Sequence, residues 1–240
     1  WVPPALVYFK RFRQQPKLLA EFFQSLERLT YFLLVTKVGI NERIETYAAL
    51  TKELEPEAFK GDLAALTTLT LTDAQKRKFV AALDGDVYDD LPKARMALVL
   101  RLESLVRAPG VQLQDAVSLE HVLPQTPPDG SDWIKWFPDE DERDGWTHRL
   151  ANLVPLDRNK NSSASNYDFA KKKDAYFRGK GTASPFVLTQ EVRSESEWTP
   201  TLLTARQKRL VNVLSTHWNL EIAADNSLPA AAVTAGGLIS

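Results

Sequence analysis

Two stretches decide how this chain reads: SLEHVLPQ at residues 118–125 and LANLVPLDRNKNSSASNYDFAKKK at residues 150–173. In the first, Val117, Leu119, His121 and Leu123 recur at period two and predict a strand that carries them on one face. In the second, Leu153, Val154 and Leu156 predict another short strand. The polar run after it predicts a turn. Phe169, Tyr176 and Phe177 then stand at helical spacing. Strand, long insert, strand and helix gather Glu120, His121, Asn152 and Asn161 into one small unit.

At these residues the sequence resembles the HNH, or His-Me finger, nucleases. Their signature is an acid-His dipeptide leaving the first strand, an Asn near the second, and an Asn or His on the following helix. The nine-residue step from Asn152 to Asn161 and the EHVLPQ run are similar to the HNH domain of RNA-guided CRISPR nucleases. A closer resemblance is to the C-terminal nuclease domain of GmrSD-type modification-dependent restriction enzymes and to SspE-like phage-defence nucleases. EHVLPQ, HRLANL, Asn161, NYDFAKKK, Trp198, Arg206 and Trp218 follow that pattern in order over roughly residues 115–220. Ala151 stands where the pattern usually has Gly. The resemblance implies a metal-dependent DNA endonuclease or nickase from a restriction or phage-defence system. It also implies that Asn152 pins the loop and orients His121, and that Lys172 and Arg206 fall on the pattern's lysine and arginine.

The residue types fit that chemistry. Phosphodiester hydrolysis needs an activated water, a cation on the phosphate and leaving oxygen, and contacts that hold the backbone still. A neutral imidazole can take a proton from water near pH 7, which makes His121 the candidate general base. Carboxylate and amide oxygens suit Mg²⁺ or Mn²⁺, so Glu120 and Asn161 are the candidate metal ligands. Adjacent strand residues point to opposite faces, so Glu120 would have to reach the ion from the strand end. An acid-His dipeptide by itself is common, and DRNKNSSASN reads equally as a polar turn. The ordered joint occurrence carries the reading. The competing reading is a degenerate HNH fold that binds DNA or a protein without cutting.

Composition bounds the rest. The chain has 240 residues, is 44% hydrophobic and has net charge −1, so a signal for nucleic acid must be local. Residues 158–180 supply it, with seven basic side chains against Asp168 and Asp174. Lys171, Lys172 and Lys173 are the expected phosphate contacts, with Lys172 pointing at DNA. Arg206 and His148 are further candidates. The acidic run DEDERD at 139–144 is expected to face away from DNA. The absence of cysteine excludes a disulfide framework and Cys-ligated zinc, and it suits a reducing cytoplasm. No apolar run is long enough to cross a membrane.

The expected architecture is α+β, predominantly α. Residues 1–112 form a helical bundle or connector, 113–222 the ββα-metal nuclease domain, and 223–240 a tail. In the first part helices are expected over the PPALVYFKRFRQQ stretch, over PKLLAEFFQSLERLTYFLLVTKVG with Gly39 as its stop, from Asn41 to before Pro56, over 57–66 and 73–83, and across LPKARMALVLRLESLVR. The chain begins at Trp1 rather than Met, so a longer protein is expected, and the resemblance implies that its remaining part is an N-terminal nucleotide-using module that senses modified DNA. This chain has no phosphate-binding glycine loop of its own.

Overall fold

The structure, a computed structural model, describes residues 1–108, 117–157, 166–178 and 184–222. Its first half is helical. Helices α1 (Val2–Phe12) and α2 (Pro16–Val35) both carry proline in the first turn, where a missing N–H costs no helical bond. Tyr8 stacks on Phe22 with ring centroids 3.8 Å apart, which joins the buried faces of the two helices. The stop after α2 is not at Gly39. Lys37 takes the left-handed turn at φ 58, and Gly39 caps α3 (Ile40–Leu54), so Asn41 lies inside that helix. The helix expected over 57–66 is also absent. Residues 55–72 run as a loop with 3₁₀ turns at Leu63–Ala65 and Thr67–Leu69. Arg11 donates to the carbonyls of Leu54, Pro56 and Phe59, so this loop's oxygens are met from outside rather than by a helical ladder.

Helix α4 (Asp73–Leu83) opens on a full capping box between Thr72 and Gln75. A single-turn helix, α5 (Val87–Asp90), follows, and then α6 (Arg95–Val106). Strands β1 (Val117–His121) and β2 (Leu153–Asp157) pair antiparallel, with Glu120 opposite Val154 and His121 opposite Leu153. Between them lie α7 (Asp132–Trp136) and α8 (Glu140–Thr147). Helices α9 (Phe169–Arg178), α10 (Val187–Ser194) and α11 (Pro200–His217) complete an α+β fold that is predominantly α.

A two-stranded sheet is marginal alone, and here both faces are covered. One apolar cluster joins the first six helices to Leu150, Leu153, Leu188, Leu210, Leu214 and Trp218. The other gathers Val122, Leu123, Trp133, Phe137, Val154, Leu156, Phe169, Tyr176 and Trp198. Packing therefore runs across residue 112. Glu103 of α6 is fully buried and accepts from the Val187 and Leu188 amides at 2.8 and 3.0 Å, which places a carboxylate on the N-terminus of α10. No helix among the described residues is long and apolar enough to cross a membrane.

Candidate active site

Strand alternation separates the acid-His pair. His121 leaves β1 toward the helical half, and Glu120 leaves it toward the second cluster. On the first side, His121 Nε2 lies 3.2 Å from His148 Nδ1. His148 caps the C-terminal end of α8, and its Nε2 lies 3.5 Å from Asp89 Oδ2. The Val87 and Tyr88 amides donate to the His148 carbonyl at 3.1 and 3.0 Å, which fastens α5 against this turn. The Tyr88 ring packs edge-on against His121 at 4.2 Å, and the Arg95 guanidinium sits 3.7 Å over Tyr88. His121 keeps 9% exposure. Burial, with the nearby His148, Lys172 and Arg95, holds its imidazole down to about 3, so it is neutral at pH 7.

On the opposite side, Glu120 Oε1 accepts from Lys172 Nζ at 2.7 Å and from the Tyr176 hydroxyl at 3.0 Å. Lys172 Nζ also donates to the His121 carbonyl at 2.6 Å. Burial pushes the Glu120 carboxyl up and the Lys172 amine down, each opposed by the charge of the other. Burial likewise raises the Tyr176 hydroxyl well above its ordinary range. This cluster anchors α9 to the end of β1, directly behind His121.

Asn152 is fully buried, and its amide is saturated. Its Oδ1 accepts from the Leu123 amide at 2.7 Å and from Trp198 Nε1 at 3.1 Å. Its Nδ2 donates to the Leu123 and Thr147 carbonyls at 2.9 and 2.8 Å. It thus ties the exit of β1 to the end of α8, where His148 begins, and reaches no reacting group. Ala151 sits in the 3₁₀ turn Leu150–Asn152, outside the left-handed region, so its methyl brings no backbone strain. Gln207 Oε1 accepts from its amide at 2.8 Å, and Arg206 Nε donates to its carbonyl at 3.0 Å.

The family model for the C-terminal domain of GmrSD restriction endonucleases matches residues 73–213, more than half of the chain. The chain belongs to this family of nuclease domains. No curated protein matches it. The match to the GmrSD C-terminal domain starts at Asp73, the first residue of α4, and so includes α5 and α6 as well as the sheet.

Several sequence-predicted residues stand elsewhere than expected. Lys172 is 1% exposed, because Phe169, Lys172 and Tyr176 share the buried face of α9. It cannot point at DNA in this structure. Lys171 is exposed, with its Nζ 3.4 Å over the Tyr167 ring, and Lys173 donates to the Glu195 carbonyl at 2.7 Å. Arg206 is buried with Leu203 and Leu210 on the inner face of α11. It pairs with Glu191 and donates to the Leu188 and Ala151 carbonyls, so it clamps α10 to the Ala151 turn and does not reach outward. His148 is at the site, against His121. Asn161, Arg158, Lys160 and Lys180 lie outside the described residues. A groove of about 990 Å³ between α4, α8 and α11 is lined by Trp146, Arg149 and Lys208, but not by His121.

Sequence reasoning missed Tyr88, Asp89 and Arg95. They come from the helical half, no motif marks them, and only the turn at His148 brings them to His121. The described donors do not by themselves fit a divalent ion. Of the two expected ligands, Glu120 has one carboxylate oxygen committed to Lys172 and Tyr176, and Asn161 is not described.

Proposed function

We propose that this chain hydrolyses DNA phosphodiester bonds as an HNH-type endonuclease or nickase, the effector part of a restriction or phage-defence protein. One observation carries the reading: a neutral imidazole at the end of β1, braced by a second imidazole, within a GmrSD-family nuclease domain. His121 takes the proton of the attacking water as the water oxygen bonds to phosphorus and the bridging oxygen leaves. In the free protein His121 is a weak base. A DNA phosphate drawn alongside adds negative charge and raises its proton affinity, so the base strengthens when substrate is present.

Asn152 and the Glu120–Lys172–Tyr176 cluster hold β1 and its exit in place from behind. Lys171, exposed on α9, and Lys173 are the described candidates for backbone contact. A divalent ion, Mg²⁺ or Mn²⁺, belongs to the proposal with Asn161 as its expected ligand, and when bound it would stabilise charge on the phosphate and leaving oxygen. A nucleotide-using sensor of modified DNA, supplied N-terminal to this chain, and action in the cytoplasm complete it.

The test is conversion of supercoiled plasmid with Mg²⁺, Mn²⁺ or EDTA, run beside a mobility-shift assay. Metal-dependent nicked or linear product is expected. DNA shifted without any cleavage would make the chain a binding module, and neither shift nor cleavage would favour an interaction role.

A further inference from the structure

We infer that Asp89 and His148 are positioning residues for His121: they fix its tautomer and so decide which ring nitrogen is left to act. The inference rests on the reading of His121 as the base. It starts from two separations, 3.5 Å from Asp89 Oδ2 to His148 Nε2 and 3.2 Å from His148 Nδ1 to His121 Nε2. A carboxylate facing an imidazole nitrogen favours the tautomer with the proton on that nitrogen, because a lone pair there would face negative charge. Neutral His148 therefore carries its proton on Nε2 and presents Nδ1 as an acceptor. The contact to His121 then needs a donor, which only the Nε2–H tautomer of His121 supplies. That leaves the His121 Nδ1 lone pair open, and no described residue hydrogen-bonds it.

The array is also mechanically fixed. The His148 carbonyl is held by the Val87 and Tyr88 amides, so the histidine and the carboxylate of α5 are set by the same short turn. Asp86 accepts from the Asp89 amide at 2.9 Å and secures that turn. Tyr88 packs against both imidazoles, at 4.2 Å from His121 and 5.6 Å from His148, and prevents either ring from swinging out. Residues more than 25 positions apart thus act as one unit, and the helical half supplies its outer member. When His121 takes a proton on Nδ1 it becomes a cation, and the carboxylate of Asp89, acting through His148, stabilises that charge.

The test is a two-bond ¹H–¹⁵N correlation spectrum of the full chain with ¹⁵N-labelled histidine at pH 8. The chain has three histidines, so His148→Gln and His217→Gln assign the signals. The expected wild-type pattern is Nε2–H for both His121 and His148. Asp89 is largely exposed, so Asp89→Ala should fold, and it should mix the tautomers of both rings. Its kcat should fall about 10–100-fold with DNA affinity unchanged, as for loss of a carboxylate behind a working histidine. His148→Gln keeps an acceptor oxygen and should retain more of the rate than His148→Ala. An Nδ1–H tautomer of His121 in the wild type overturns the inference. So do wild-type tautomers and kcat in Asp89→Ala. The spectrum does not depend on cleavage, so continued cutting by His121→Ala would remove the base assignment and leave the bracing standing.

Discussion

Replacing Lys172 with alanine should act on stability, not on DNA. The amine is 1% exposed and holds Glu120 Oε1 at 2.7 Å and the His121 carbonyl at 2.6 Å. Removing one partner of such a pair leaves a buried carboxylate without its cation, a change that costs about 3–5 kcal/mol. The exposed neighbour Lys171 should cost no more than about 0.5 kcal/mol on the same replacement. Urea unfolding followed by tryptophan fluorescence reads both, since Trp133 and Trp198 are buried beside this cluster. The Glu120→Gln, Lys172→Met double variant should recover part of the loss, because neither charge then needs a partner; couplings of this kind run to about 0.5–3 kcal/mol. In a salt titration of DNA binding, the folded fraction of Lys172→Ala should keep the wild-type slope, whereas loss of one phosphate contact lowers it by about one. A stability change below about 1 kcal/mol, together with a slope lowered by about one, would refute the buried-pair account.

Three further outcomes follow from the same geometry. Asn152→Ala removes four buried hydrogen bonds and should cost about 3–4 kcal/mol, at about 1 kcal/mol net for each, measured by denaturant unfolding. Arg206→Ala should destabilise by about 1–3 kcal/mol through the freed Leu188 and Ala151 carbonyls, since Glu191 keeps Arg209 at 2.6 Å, while the salt slope of DNA binding stays put. The third outcome concerns acid. His121 is held at about 3 in the folded chain against an ordinary 6.5, so between those values the unfolded chain binds a proton that the folded chain refuses. Its contribution is fully present above about pH 6.5 and is lost as pH falls toward 3, with a ceiling of about 5 kcal/mol at about 1.4 kcal/mol per pH unit. Stability measured from pH 7 to pH 4 should therefore fall less steeply for His121→Ala than for wild type.

The strands were legible because period two in Val117–His121 and the Leu153, Val154 and Leu156 run have few other solutions. The helix over 73–83 was legible as well, and so was α2 from its long apolar stripe at helical spacing. What escaped was the direction of long cationic side chains. Lys172 lies three residues after Phe169 and four before Tyr176, and Arg206 lies between Leu203 and Leu210, so helical spacing placed both inward. Composition suggested solvent instead, because a buried cation needs a partner that only the fold supplies: Glu120 at 52 residues' distance, and Glu191 on another helix. Asp89 escaped for a related reason. In DVYDD it is one acid among three, and its place beside His148 depends on a carbonyl that α5 recruits from the end of α8. The stop at Lys37 escaped because glycine is the commoner left-handed residue, whereas here Gly39 serves to start the next helix.

The central claim is that His121 performs the chemical step. Single-turnover cleavage of a labelled DNA duplex, at saturating chain and with Mg²⁺ or Mn²⁺, tests it when wild type and His121→Ala are compared at matched fractional binding. A general base contributes about 10²–10⁴-fold, so the variant should bind DNA as wild type does and cleave it slower by at least the lower figure. Cleavage by His121→Ala within a few-fold of wild type would contradict the account.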